Sequence, residues 1–124
     1  MSTPERSILV VENERLVATT VAEQLRYLGY EPEIAVSGTE ALQLLRTGEF
    51  SIILTDYRLQ DILAPELITQ FRALKDGIRV VLSSGLGPEI EADFRPGEID
   101  GFLHKPYGLT ELREVLGQIE TDLA

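Results

Sequence analysis

The stretch Ser51-Ile52-Ile53-Leu54-Thr55-Asp56 places three apolar residues of high strand propensity just before a carboxylate. A short apolar run of this kind is typical of a strand buried on both faces of a parallel sheet. Because an unpaired carboxylate is costly inside such a core, the strand must end at Asp56, with its side chain over the carboxyl edge of the sheet. Ligands of open α/β sheets bind at that edge. The alternative is that Asp56 only starts a turn or caps the next helix.

Length, charge and composition indicate one globular domain. The 124 residues suffice for a single core, and a hydrophobic fraction of 44% is ordinary for a soluble protein. A net charge of −10, with the basic residues scattered singly, argues against nucleic acid and anionic membranes as partners. The absence of cysteine excludes thiolate chemistry and fits a cytoplasmic protein. No apolar run approaches the length of a membrane span.

Strand-like and helix-like segments alternate along the chain. The other predicted strands are Ser7 to Val11, Tyr30 to Val36, Ile78 to Ser83 and Ile99 to His104. The predicted helices run over Glu14 to Leu28, Ser37 to Thr47, Pro65 to Asp76 and Leu109 to Leu123, and Gly85 to Pro96 is expected to hold at most a short helix. Pro32 suggests that the second strand lies at an edge. This alternation predicts parallel strands, right-handed crossovers and a three-layer α/β sandwich.

A parallel sheet gathers the residues that follow its strands at one edge. Those residues are Glu12, Asn13, Asp56, Ser84 and Lys105. Carboxylate and amide oxygens suit Mg²⁺, a lysine and a hydroxyl can contact phosphoryl oxygens, and a carboxylate can act as a nucleophile toward phosphorus. Taken singly, each residue also has an ordinary structural role. Glu12 could be a first-turn acid and Asn13 an N-cap, while Ser84 could be a turn residue and Lys105 a surface cation. Their coincidence at strand ends favours a phosphoryl-transfer site.

Four motifs, in order and on the predicted elements, resemble the response-regulator receiver domain. They are Val10-Val11-Glu12-Asn13-Glu14, Leu54-Thr55-Asp56-Tyr57-Arg58-Leu59, Ser84-Gly85 and Phe102-Leu103-His104-Lys105-Pro106. The likeness covers Ser7 to about Ile119. It implies a flavodoxin-like fold with a five-stranded parallel sheet of order 2-1-3-4-5, in a single receiver domain over residues 1–124 whose core is about 7–119.

The resemblance implies a role in signalling for four residues. Asp56 would accept a phosphoryl group, Lys105 would bind the phosphate, Ser84 would be the switch hydroxyl and Phe102 the switch aromatic. The donor would be a histidine kinase or a phosphotransfer protein. A downstream protein would bind the face of the fourth helix, fifth strand and fifth helix.

The resemblance also implies a Mg²⁺ site. Glu12, Asn13 and Asp56 would hold the ion, together with the backbone carbonyl of Arg58. Receivers usually have Asp at the position of Asn13. Because Asn keeps an oxygen but removes a charge, weaker Mg²⁺ binding is expected.

Two further departures concern loops. The loop after Asp56 usually carries Pro and then Gly, where this chain has Gln60 and Ala64, and Asp61-Ile62-Leu63 is unusually apolar for an exposed turn. The segment Gly85 to Asp100 is rich in Pro and Gly, which disfavours a regular fourth helix.

Several residues near the strand ends keep two interpretations. Ser83 competes with Ser84 for the switch position, and only the resemblance favours Ser84. His104, the one histidine, lies at a strand end, where a structural role is favoured over that of a phosphodonor. Tyr57 and Tyr107 flank the edge, where either could line the site, and packing is the expected role.

Three functional hypotheses follow. The first is a phosphoacceptor switch, which is not an enzyme beyond its own phosphorylation and dephosphorylation. The second is a degenerate receiver that binds partners without phosphorylation. The third, a flavodoxin-like phosphatase, is disfavoured because there is no second Asp two residues beyond Asp56 and no cap insertion. We adopt the first and expect a free-standing receiver or one cut from a hybrid kinase, since no output domain is present in these residues.

Overall fold

Five parallel strands and four α-helices alternate in the computed structural model, which describes residues 7–123, apart from the side chains of Pro88 and of 121–123. The strands are β1 Ser7–Val11, β2 Glu31–Ala35, β3 Ile52–Asp56, β4 Arg79–Ser84 and β5 Gly101–His104. The helices are α1 Arg15–Tyr27, α2 Gly38–Thr47, α3 Ala64–Leu74 and α4 Leu109–Leu123, with a 3₁₀ helix at Pro88–Asp93. The predicted domain ends, residues 1–6 and 124, lie outside the described residues.

The strand order is β2-β1-β3-β4-β5, which confirms the predicted sheet, and β2 with Pro32 lies at an edge. Alternate residues of the strands enter two separate clusters. Ile8, Val10, Ile52 and Leu54 pack with α1 and α4 in what we call the α1–α4 cluster. The opposite residues, among them Ile53, pack with α2 and α3 in the α2–α3 cluster. The sheet is therefore buried on both faces, as its continuous apolar strands predicted.

Local signals set the helix ends. The Ser37 side chain accepts a hydrogen bond from the Glu40 amide at 3.1 Å, and Glu40 Oε1 accepts one from the Val36 amide at 2.7 Å, a reciprocal cap that begins α2. Gly29, just past α1, has a φ of 95°, the left-handed conformation that glycine adopts without strain. The observed helix boundaries agree with the predicted ones to within a residue or two. For example, α3 begins at Ala64, with Pro65 as its second residue.

The segment after β4 is the main departure from regular alternation. Pro88–Asp93 forms a 3₁₀ helix, where a short helix at most was expected. Its Ile90 is buried in the α2–α3 cluster with 4% of its surface exposed. The following residues form no strand until Gly101, so β5 is two residues shorter than predicted at its start. One buried side chain thus anchors a largely irregular segment.

A charged cluster fixes the far end of that segment. The Asp100 carboxylate accepts a hydrogen bond from the Val80 amide at 2.8 Å and pairs with Arg72 at 3.0 Å and Arg79 at 3.2 Å. Arg72 also donates to the carbonyl of Glu98. These contacts tie the entry of β5 to β4 and α3.

None of the helices within residues 7–123 combines the length and the apolar character needed to cross a membrane.

Candidate functional site

The strand register brings the predicted site residues to one edge. Val11 is opposite Thr55, Asp56 is opposite Ser83, and Ser84 is opposite His104. Glu12 and Lys105 each follow the last residue of their strand directly; β1 is next to β3, and β4 lies between β3 and β5. The sheet itself, rather than any loop, therefore sets the spacing of these groups.

Lys105 joins the two buried carboxylates. Its Nζ lies 2.9 Å from Glu12 Oε1, to which it donates a hydrogen bond, and 3.3 Å from Asp56 Oδ1. The other oxygen of Glu12, Oε2, accepts a hydrogen bond from the Glu14 amide at 3.1 Å. The ammonium group thus balances the repulsion between Glu12 and Asp56.

Burial and charge act in opposite directions on Asp56. Burial is the largest effect and raises the pKa of its carboxyl, and the negative charge of Glu12 raises it further. The Lys105 ammonium and a hydrogen bond from the Arg58 backbone amide lower it, without cancelling the effect of burial. Burial lowers the pKa of Lys105, but its hydrogen bond to Glu12 and the charge of Asp56 outweigh that effect and leave it raised. Lys105 therefore stays charged at neutral pH.

An open cleft of about 380 Å³ faces Asp56. Its lining residues are Asn13, Glu14, Asp56, Arg58, Ser84, Gly85, Leu86 and Lys105. Five of the seven residues predicted for the site line this cleft. Glu12 lies behind it, 5% exposed and bonded to Lys105. Asn13 is half-buried and does not cap α1, because the residue at the cap position is Glu14, which makes no side-chain cap bond.

The two adjacent serines differ in position. Ser84 lines the cleft, and its Oγ accepts a hydrogen bond from the Leu86 amide at 2.9 Å, which leaves its own proton free to donate. The Ser83 hydroxyl instead reaches the Thr55 carbonyl at 3.5 Å, inside the sheet. The backbone carbonyl of Ser84 accepts from the Lys105 amide at 2.7 Å, which ties these two residues together.

The remaining candidates lie around the site rather than in the cleft. Phe102 is opposite Leu82 in the sheet and packs, partly buried, against the α2–α3 cluster. His104 is exposed. Tyr107 packs against the α1–α4 cluster, and burial, with the charges of Glu12 and Asp56, raises its pKa to about 12. Tyr107 is therefore a neutral packing residue at physiological pH, as the sequence indicated.

Three contacts near the site escaped the sequence analysis. Leu86 lines the cleft, a position that follows only from the path of the loop after Ser84. The Tyr57 hydroxyl donates to Asp93 of the 3₁₀ helix, and its ring meets Phe94 edge-on at 6.2 Å between centroids. The Asp61 carboxylate bonds the start of α2. Nothing in the sequence around Asp61 indicated that contact.

The fold agrees with the comparison to known proteins. Residues 8–117 match the family described as the response regulator receiver domain. The chain therefore belongs to the receiver-domain family of response regulators, which are signalling domains of two-component systems rather than enzymes in the usual sense.

Individual relatives show the same likeness. The chain is 30% identical over 109 residues to the sensor kinase CckA of Brucella abortus (strain 2308), a match that covers 86% of this chain but only 12% of the kinase. A CheY-like receiver domain from Methylobacillus flagellatus superposes with a TM-score of 0.80 at 30% identity, over 93% of this chain and 98% of the other. The response regulator TrrA of Thermotoga maritima, solved with Mg²⁺ and BeF, has a TM-score of 0.83 at 24% identity and covers 92% of this chain and 98% of its own.

The balance at Asp56 predicts a pH-dependent effect of Asp56→Asn. Because the pKa of Asp56 is higher in the folded protein than in the unfolded chain, the folded state binds this proton more tightly. The contribution of Asp56 to the stability of the wild type therefore falls as pH rises from about 3.9, the unfolded value, through the folded pKa. We expect Asp56→Asn to be more stable than the wild type at neutral pH, with the difference vanishing in acid, as measured by urea unfolding across that range.

The matched control is Asp76→Asn, which neutralises an exposed carboxylate past the end of α3 and should leave the shape of the pH profile unchanged. A wild type that gains stability over Asp56→Asn as pH rises would mean that Lys105 outweighs burial.

Proposed function

We propose that this chain is a phosphoacceptor receiver domain that takes a phosphoryl group onto Asp56 from a histidine kinase or a phosphotransfer protein. The proposal covers a single domain with its core at about residues 7–119. The observation that carries it is the Asp56 carboxylate, 8% exposed, paired with Lys105 and facing an open cleft. A buried carboxylate beside a fixed cation is poised for a reaction that places more negative charge at the same point.

The transfer uses groups of this chain in defined roles. One Asp56 oxygen attacks the phosphorus of the donor, so that an O–P bond forms as the P–N bond of phosphohistidine breaks, and the released imidazole takes up a proton. With acetyl phosphate a P–O bond breaks instead, and acetate leaves. Lys105 stabilises the oxygens of the transferred group, because its ammonium already lies beside Asp56. The chain promotes no chemistry beyond its own phosphorylation and the hydrolysis that reverses it.

The donor set at the cleft fits Mg²⁺. The acidic groups alone do not suffice, since no cluster of three or more His, Cys, Asp or Glu residues suited to a metal is found in residues 7–123. Asp56, the Asn13 amide oxygen and the Arg58 carbonyl would supply hard oxygen ligands at the open cleft, which leaves room for water that Mg²⁺ retains. Glu12 lies behind the cleft, bonded to Lys105 and to the Glu14 amide, and would contribute its charge from there. When bound, the ion supplies positive charge toward the phosphoryl oxygens. The complex of the Thermotoga maritima regulator with Mg²⁺ and BeF is a precedent for such a site.

The signal would leave the site through Ser84. Its hydroxyl can donate to a phosphoryl oxygen on Asp56, which would draw inward the loop that starts at Gly85. Space near Ser84 could then be filled by Phe102, which shares the α2–α3 face of the sheet with Leu82 and Ile90. The downstream protein would read this change on the surface of the 3₁₀ helix, β5 and α4. In this chain the 3₁₀ helix takes the place of the fourth helix of the predicted partner face.

A second candidate function rests on Asn13. This residue removes one charge from the metal site, so the chain could bind a partner without being phosphorylated. The chemistry at Asp56 separates the two functions.

The first prediction of the proposed function is that acetyl phosphate with Mg²⁺ adds one phosphoryl group to the protein, seen by intact-mass measurement. Asp56→Asn should show no adduct, because it removes the nucleophile, whereas Asp76→Asn should react like the wild type. Failure of the wild type to react with both acetyl phosphate and a phosphorylated histidine kinase would leave the partner-only function.

Asn13 provides a test of the metal site. Asn13→Asp should bind Mg²⁺ more tightly, because it adds a charge at a ligand position, and the metal-free protein should be less stable, because the new charge crowds Asp56 and Glu12. Asn13→Ala, which removes the oxygen, should bind more weakly. Calorimetric titration and urea unfolding measure the two effects. Equal or weaker Mg²⁺ affinity in Asn13→Asp would place Asn13 outside the metal site.

Ser84 provides a test of the switch. Ser84→Ala should still be phosphorylated on Asp56, but the amide shifts that beryllofluoride causes from Gly85 to Gln118 should shrink, because the hydroxyl can no longer bond the bound group. Ser84→Thr keeps the hydroxyl and should respond like the wild type. The coupling should be worth about 1–3 kcal/mol. A wild-type shift pattern in Ser84→Ala would show that the hydroxyl is not the relay.

A further inference from the structure

The loop between β3 and α3 is held at two points. At its start, the Tyr57 amide donates to the Ser83 carbonyl at 2.8 Å, next to Asp56. Near its end, the Asp61 carboxylate reaches across to α2. Asp61 Oδ1 accepts from the Gly38 amide at 3.0 Å, and Oδ2 accepts from the Thr39 amide at 2.9 Å and the Thr39 hydroxyl at 2.8 Å. Both carboxylate oxygens are therefore engaged with one helix start.

These bonds complete the cap of α2. The first amides of a helix have no partner inside it, and here Asp61 takes those of Gly38 and Thr39 while the Ser37 side chain takes that of Glu40. The negative charge also lies at the positive end of the helix dipole. Burial raises the pKa of Asp61, but the hydrogen bonds from Thr39 and Gly38 outweigh it and leave the pKa lowered. Asp61 is thus ionised and bonded at neutral pH.

A close apolar contact fixes the loop beside this cap. A Cβ atom on Gly38 would lie 2.1 Å from Ile62 Cγ2 and 3.3 Å from Asp61 Oδ1, so only glycine permits the observed approach. Ile62 packs against the α2–α3 cluster, although the turn that contains it looked exposed in sequence. The loop therefore rests on the start of α2 through one polar and one apolar contact.

Between the two anchors lies Arg58, which lines the cleft beside Asp56 and whose backbone amide lowers the pKa of the Asp56 carboxyl. No proline restricts the backbone from Tyr57 to Ala64. The position of the Arg58 backbone therefore depends on how the ends of the loop are held. Asp61 holds the far end through its hydrogen bonds, beside the apolar contact of Ile62.

We propose that Asp61 is a positioning residue for the phosphoacceptor site, because its clamp on Gly38 and Thr39 holds the Arg58 backbone against Asp56. The Mg²⁺ part of this role rests on the proposed function, since Arg58 would offer its carbonyl to the ion. The effect on Asp56 itself needs no metal. The start of α2 contributes no residue to the cleft. It supports the site through its hydrogen bonds to Asp61.

Three graded variants test the clamp. Asp61→Ala removes every acceptor, Asp61→Asn keeps one carbonyl oxygen, and Thr39→Val removes only the hydroxyl bond. Asp76→Ala is the matched control, because it deletes an exposed carboxylate of equal charge past the opposite end of α3. Urea unfolding of each variant checks that the protein is folded before the site is measured.

The metal-free readout is the Asp56 carboxyl and Arg58 amide resonances by NMR. Both should shift in Asp61→Ala and less in Asp61→Asn and Thr39→Val, while Asp76→Ala matches the wild type. The second readout is the dissociation constant for Mg²⁺, which we expect to rise about tenfold in Asp61→Ala, the scale typical of groups that orient metal ligands.

The two readouts keep the outcomes distinct. The first outcome assumes that the wild type binds Mg²⁺. If Asp61→Ala then loses hydrogen-exchange protection at Gly38 and Thr39 while the site resonances and the Mg²⁺ affinity stay unchanged, Asp61 only caps α2. The proposal is then wrong. If the wild type does not bind Mg²⁺, the metal site of the proposed function fails. The Asp56 and Arg58 resonances then decide the positioning role alone, where a shift supports it and no shift overturns it.

Discussion

The Lys105 ammonium between Glu12 and Asp56 is the interaction on which the site depends. A parallel sheet forces the residues after its strands to one edge, and in this chain it brings two buried carboxylates together. Without a cation between them their repulsion and the loss of hydration would favour protonation. Lys105 comes from β5, two strands away from Asp56, so the cation reaches the pair only when β4 and β5 are both in place. The completed sheet and the charged site are therefore formed together.

The site combines a buried centre with two margins that lie outside the sheet. β1 and β3 are central strands whose residues are almost all buried on both faces. The margins are the β3–α3 loop and the segment from Gly85 to Asp100, which contains a 3₁₀ helix anchored by Ile90. These two margins contact each other, because Tyr57 bonds Asp93 and packs on Phe94. Tyr57 directly follows Asp56, so a change at the Asp56 carboxylate acts next to a residue that holds the 3₁₀ helix. This gives the segment a second connection to the site besides Ser84.

The sequence was sufficient for the fold and for the composition of the site, for a physical reason in each case. Continuous apolar strands such as Ile52 to Leu54 and regular helical spacing are local signals, and the parallel sheet converts them into a shared edge. Bonds between distant loops have no such signal. Asp61 bonds residues 22 and 23 positions earlier, and nothing in its own neighbourhood indicates that partner. The 3₁₀ helix is a similar case, because its Ile90 is held by burial in the α2–α3 cluster, a contact with distant residues.

Asn13 removes one negative charge from this site, compared with the Asp that receivers usually have at this position. Two carboxylates, Glu12 and Asp56, face one ammonium, so these three groups carry a single excess negative charge, and the cleft adds one acid, Glu14, and one cation, Arg58. An Asp at position 13 would attract a divalent cation more strongly, but it would also repel an incoming phosphoryl dianion whenever the ion is absent. In the proposed metal site, Asn13 would leave Lys105 to balance a larger share of the acidic charge than the metal does. Because Asn13 is neutral, it also adds no repulsion to Glu12 and Asp56 in the folded, metal-free protein. Asn13 thus favours a site that is stable without Mg²⁺, and in such a site the placement of Asp56 depends on Lys105 and on the backbone that surrounds it.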